Sequence, residues 1–148
     1  LSGDIEGISP LEVQELKNRF PGLKIMQAIP VLSGVPLEEQ KIMQYIKEYE
    51  PVSDFFLIDT KAPMAGDIGA TGLTHDREID RVIVESTKVP CIIAGGLDAD
   101  NVAEAIHVTH PYGVDSFSLT NYDDERADTL HCKDPAKVKA FIEASQNA

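Results

Sequence analysis

The chain has 148 residues, 43% hydrophobic and 26% charged, which is enough for one domain with a sizeable core and ordinary for a globular protein. A formal net charge of −12 argues against nucleic acid and anionic membranes as partners, because phosphate contacts need clustered Lys and Arg. A small phosphorylated ligand stays open, since a few backbone N–H groups can hold one phosphate.

No apolar run nears the roughly 20 residues that span a bilayer, and no basic segment leads into an apolar one as in a signal peptide. The first residue is Leu1 rather than Met, so a cut, processed or partly recorded chain is expected. Ser9-Pro10-Leu11-Glu12 reads as a helix start, with Ser9 as N-cap, proline at the first helical position and Glu12 closing a capping box. Val13, Leu16 and Phe20 follow on one face, and Pro21-Gly22 stops the helix. Leu23 to Val31 is apolar without a helical period, a strand. Pro36 opens a helix carrying Ile42, Tyr45, Ile46 and Tyr49, and Pro51 ends it. Asp54 to Asp59 (DFFLID) is a second strand, followed by a polar, Gly-rich loop from Thr60 to about Thr74.

Ile79, Val82 and Ile83 mark a third helix, and Val89 to Gly96 (VPCIIAGG) a third strand. Asp98 caps a helix with Val102, Ala105 and Ile106. Gly113 to about Ser118 is the fourth strand, and Asp134-Pro135 caps a last helix with Val138, Phe141 and Ile142. One helix and four strand–helix units of roughly 30 residues predict a parallel sheet covered by helices, in a single domain over residues 1–148. A doubly wound sheet is the rival arrangement.

Ligands of such folds bind beyond the carboxyl ends of the strands. Asp59 follows four apolar residues, so its carboxylate belongs at the rim of a low-dielectric core; desolvation there would raise its pKa and suit it to general acid work. A strand-end Asp that merely caps a loop is the plainer alternative. Gly95-Gly96 lacks side chains where backbone must approach a ligand, and Asp98 begins a helix whose N-terminus favours an anion; a tight strand-to-helix turn is the plainer account. Gly66, Gly69 and Gly72 lie in GDIGATG, which is neither GxGxxG nor a P-loop.

His75, His107, His110 and His131 have no metal spacing with one another or with a cysteine. Cys91 and Cys132 form no CxxC and fit a reducing cytosol better than a disulfide scaffold; Cys91, inside a strand, reads as a buried inert thiol. No metal or other cofactor is expected.

In order, FLIDTKAP (Phe56 to Pro63), GATGLTHD (Gly69 to Asp76), IIAGGLDADNVAEAI (Ile92 to Ile106), PYGVDSFS (Pro111 to Ser118) and CKDPAKVKAFI (Cys132 to Ile142) resemble the carboxyl-terminal part of phosphoribosylanthranilate isomerase, a (β/α)8 TIM-barrel family of tryptophan biosynthesis. LSGD at Leu1 to Asp4 is similar to the end of that family's fourth strand. The resemblance implies that the four strands are the fifth to eighth of a barrel. It implies an Amadori rearrangement of a phosphorylated sugar amine, with Asp59 as the acid that opens the ribose ring. Gly95 and Gly96 would offer N–H groups to the phosphate, helped by Ser116 and Ser118, with Asp115 among the ligand contacts.

Some family positions differ. The family's base, a Cys at the end of the first strand, has no counterpart, nor has its second-strand Arg. Ser2 stands for a His, Leu73 for a lysine, Arg77 for a Trp, Phe117 for a serine and Leu119 for a glycine. A repurposed relative that binds another phosphorylated metabolite is therefore the alternative reading. Half a barrel also exposes strand edges, so the segment is expected to associate with its amino-terminal portion or with a second copy.

Overall fold

A computed structural model of the chain describes residues 8–61, 76–124 and 132–148. The first helix, α1 (Pro10–Arg19), starts where its sequence asks it to. Ser9 Oγ accepts from Glu12 N at 3.3 Å, and the Glu12 carboxylate accepts from Ser9 N at 2.7 Å, which completes the capping box. Val13 is buried, but Phe20 is the C-cap and half exposed, because the helix ends before that position reaches the core face.

Strand β1 (Met26–Leu32) pairs in parallel with β2 (Phe55–Lys61), β2 with β3 (Cys91–Ile93) and β3 with β4 (Gly113–Val114). The strand order therefore follows the chain, β1-β2-β3-β4, with no reversal. A doubly wound sheet reverses its order at a switch point, and no such reversal occurs among the described strands.

Partners in a parallel sheet share a face, so the register sorts the side chains. Gln27, Ile29 and Val31, then Phe56, Ile58 and Thr60, then Cys91 and Ile93, lie on one face, and all are buried. There they meet Ile42, Ile46 and Tyr49 of α2 (Ile42–Tyr49), Ile79 and Ile83 of α3 (Arg77–Ser86), and Val102 and Ala105 of α4 (Val102–Thr109). On the other face, Pro30, Leu32, Leu57, Asp59 and Ile92 are only half-buried and Met26 is 43% exposed. One face carries the helices, and the described residues leave the other largely uncovered.

Several boundaries fall differently from the sequence reading, each for a local reason. Pro36 leads into a short 3-10 turn (Leu37–Glu39) and not directly into α2. Gln40 intervenes: its Oε1 accepts from Leu32 N at 2.8 Å and its Nε2 donates to Val35 O at 2.7 Å, folding the chain back on β1 before the helix begins. Strand β3 is three residues long because Gly95 and Gly96 take φ of +81° and +65°, which no extended strand can hold. Helix α4 starts regularly only at Val102, with Asn101 in the flanking position where its side chain makes no capping bond, so Asp98 supplies the side-chain acceptor one turn earlier than the helix proper. Asp98 closes the turn before it, accepting from Asp100 N at 2.9 Å and Asn101 N at 3.1 Å. Strand β4 stops at Val114, well short of Ser118, as the chain curls into a 3-10 turn (Ser118–Thr120). The last helix, α5 (Pro135–Gln146), opens with Asp134 accepting from Ala136 N at 2.8 Å; it buries Phe141 and leaves Ile142 46% exposed.

Phe55 N donates to Ile25 O, so the odd-numbered residues of β1 turn their backbone toward β2 and the even-numbered ones turn it away. Pro30 is even-numbered, and its missing N–H costs the β1–β2 ladder nothing.

Candidate active site at the strand ends

Ladder bonds continue one residue past β3: Ala94 N donates to Ile58 O and Asp115 N to Ile93 O, each at 2.8 Å. With the pairing of Ile58, Ile93 and Val114, this sets Asp59, Ala94 and Asp115 in one row on the uncovered face. The two carboxylate-bearing residues are separated by one strand, roughly 10 Å from backbone to backbone by strand spacing. Asp59 is half-buried and its Oδ1 accepts from Thr60 N at 2.8 Å, while Asp115 is exposed.

Gly95 sits directly against β2. A Cβ on it would fall 2.0 Å from Thr60 Oγ1, so the bare glycine is what lets the β3 turn close onto the residue after Asp59. Among the described residues, the N–H groups of Gly95 and Gly96 donate to no protein acceptor. Ser116 Oγ donates to Leu97 O at 2.6 Å and ties the end of β4 to the same turn. Asp59, Gly95, Gly96, Asp115 and Ser116 therefore meet at one rim. Ser118 lies on the 3-10 turn beyond, where its carbonyl accepts from Asn121 N at 3.1 Å.

Three residues at this rim escaped the sequence reading. Arg77, read only as the loss of a Trp, donates from Nη1 to Ala94 O and from Nη2 to Gly95 O, and pairs with Asp80, which is fully buried. Thr60 fills the space left by Gly95. Lys133 lies over the Phe117 ring at 4.4 Å and donates to Phe117 O and Thr120 Oγ1. Burial lowers the Lys133 ammonium below the ordinary lysine range, against the opposing pull of Asp115. Local patterning signals none of these contacts, because each partner is more than ten residues away or, for Asp80, lies within an ordinary helical charge pattern.

Cys91 is 3% exposed, and burial, then the charge of Asp80, pushes its thiol up to about 11. That fits the inert reading. His107 and His110 are exposed, and no cluster of three metal-ligating side chains occurs among the described residues. No helix of those residues is long and apolar enough to cross a membrane. The segment Leu1 to Asp4 with Ser2, the loop with Gly66, Gly69, Gly72 and Leu73, and His75 and His131 lie outside the described residues.

A one-way parallel sheet with helices on one face and polar groups gathered at its carboxyl ends defines a TIM-barrel type α/β protein. The family model for N-(5'-phosphoribosyl)anthranilate (PRA) isomerase matches residues 12–144, and the chain belongs to that family. It is 36% identical over 132 residues to N-(5'-phosphoribosyl)anthranilate isomerase 2 of Methanosarcina mazei, covering 89% of this chain and 53% of the relative. It is 34% identical to the isomerase of Methanocella arvoryzae, covering 88% of this chain and 54% of the relative. The solved isomerase of Pyrococcus furiosus superposes with a TM-score of 0.66 at 31% identity, over 95% of this chain and 58% of that one. A phosphoribosyl anthranilate isomerase in complex with reduced 1-(o-carboxyphenylamino)-1-deoxyribulose 5-phosphate shares the fold at a TM-score of 0.63 and 19% identity, over 97% of this chain and 57% of that one. The chain spans about half the length of the curated relatives it matches.

Proposed function

We propose that the protein carrying this chain isomerises phosphoribosylanthranilate to 1-(o-carboxyphenylamino)-1-deoxyribulose 5-phosphate, and that β1 to β4 are the fifth to eighth strands of its barrel. Asp59 is the general acid. It gives its proton to the ribose ring oxygen as the C1–O bond breaks, leaving an open-chain Schiff base. A base then takes the proton from C2, and the enolamine that forms tautomerises to the ketone, so the step is redox-neutral and needs no cofactor. The family's base is a Cys at the end of the first strand, and since neither Cys91 nor Cys132 lies in the row of Asp59 we assign that role to the amino-terminal portion of the barrel.

The phosphate is held by the N–H groups of Gly95 and Gly96, with Asp115, Ser116 and Ser118 around the ligand. The observation that carries this reading is the meeting of Asp59 with the two-glycine turn on the uncovered sheet face. A pathway step of this kind suits the cytoplasm. The uncovered face and the outer edges of β1 and β4 are met by the amino-terminal portion of the barrel or by a second copy.

The test is turnover of phosphoribosylanthranilate by the full-length protein, followed through loss of the substrate's fluorescence. Asp59→Asn is expected to lower kcat by about 10²- to 10⁴-fold, the usual share of a general acid. A variant that retained wild-type kcat would sink the assignment. A second reading, a repurposed relative taking another phosphorylated metabolite, draws on the rim around Phe117. That ring is 44% exposed and stacked under Lys133 where the family carries a serine. Robust turnover of phosphoribosylanthranilate excludes it.

A further inference from the structure

The Arg77 guanidinium and the Asp80 carboxylate have no part in the chemistry above, yet they are the most deliberately placed charges near the rim. Asp80 is fully buried on α3, and a buried carboxylate persists only when it is paired. Arg77 Nη1 lies 2.8 Å from its Oδ2. The same guanidinium reaches the end of β3, donating to Ala94 O at 2.9 Å and to Gly95 O at 2.5 Å.

Those two carbonyls belong to consecutive peptide units, Ala94–Gly95 and Gly95–Gly96. Both units are trans, and in a trans peptide the N–H points opposite to the C=O. One planar cation that draws both carbonyls toward itself must turn the N–H groups of Gly95 and Gly96 away from α3, side by side. Consecutive N–H groups presented in this way form a concavity that receives an anion. Hydrogen bonds to the carbonyls also polarise the peptides and strengthen their N–H groups as donors. A lysine could supply the charge but not the fork that meets two carbonyls and a carboxylate at fixed angles.

We propose that Arg77, locked by Asp80, is a positioning residue that aims the Gly95 and Gly96 amides at the substrate's phosphate without touching it. The proposal rests on the phosphate reading of the glycine pair. It also assigns a task to a position where this chain departs from the family's usual Trp.

The test uses the ¹⁵N-labelled full-length protein and inorganic phosphate as the probe. In the wild type the Gly95 and Gly96 amide signals move on titration. In Arg77→Gln the phosphate Kd is expected to rise by about tenfold, as when a hydrogen bond to a charged group is lost, and the shifts at the two glycines shrink. KM for the phosphorylated substrate rises in parallel, with kcat within about twofold. Wild-type Kd and glycine shifts in the variant would overturn the positioning role and leave the phosphate reading standing. Wild-type glycine signals that ignore phosphate would overturn both. If Arg77→Gln does not fold, Arg77→Lys keeps the charge beside Asp80 and reaches one carbonyl only. A weakened phosphate Kd in that variant supports the proposal, and an unchanged one overturns it.

Discussion

Gly95 has a conformational reason and a steric reason to be glycine. Its φ of +81° is disfavoured for any residue with a Cβ, and that Cβ would overlap Thr60 Oγ1. Gly95→Ala is expected to cost about 2 to 4 kcal/mol, the sum of a left-handed backbone penalty and local overpacking. Gly113→Ala is the control, because its Cβ would meet Ile92 Cγ1 at an ordinary 3.7 Å. Urea unfolding of both variants checks this, and equal stabilities would remove the steric argument. Asp59 was legible in the sequence because a carboxylate closing an apolar run stands out. The glycine pair was legible as a place of close approach, but what approaches it was not. Thr60 and Arg77 come from other elements, and only the folded chain brings them there.

Among the elements, those with chemical punctuation were read best. Ser9 with Glu12, and Asp134 with Pro135, mark helix starts that the structure keeps to the residue. Strand lengths were read worst: the run around β3 carries on to Leu97 past the point where the glycine pair leaves the sheet, and after Val114 the chain bends out of the sheet into a 3-10 turn. Asp98 reads as a cap in the sequence, and its carboxylate does accept from the N–H groups two and three residues on, but one turn before the regular helix begins.

Asp54, just before β2, joins three segments. Its Oδ2 accepts from Ile25 N at 2.8 Å and from Lys17 of α1 at 2.9 Å, and its Oδ1 from Lys24 at 3.1 Å. The Ile25 N–H, followed by Lys17, holds its carboxyl down at about 2, against an ordinary 3.8. A depressed carboxyl stabilises the fold above its ordinary value, and that contribution fades as pH falls through the folded one. Asp54→Asn should therefore cost ~2 kcal/mol near neutrality, and its deficit against the wild type should shrink as the pH falls from 4 toward 2. Urea unfolding across that range is the measurement; a deficit independent of pH would refute the assignment.

At the scale of the molecule, a parallel sheet packed by helices follows from the strand–helix alternation that the sequence displays, while the consecutive strand order comes only from the folded chain. What the alternation does not reveal is how much of the opposite face stays open. Met26 and Tyr112 are 43% and 70% exposed, and Phe55 packs on Tyr112 with ring centroids 5.6 Å apart. A sheet with such a face and two outer edges is expected to self-associate or to take up the amino-terminal portion of the barrel. Expressed alone, the 148 residues should scatter light as a species heavier than 16.2 kDa. A monodisperse monomer would contradict this.

The outer margin of β1 limits how such a neighbour can attach. Its outward-facing backbone groups belong to Met26, Ala28, Pro30 and Leu32. Pro30 has nothing to donate, and the amide and carbonyl of Leu32 are already engaged by the Gln40 side chain. A pairing strand would therefore find no donor at Pro30 and no unengaged backbone group at Leu32. Pro30 is level with Asp59 in the register, so the backbone bonding that this margin can offer thins out at the height of the proposed acid.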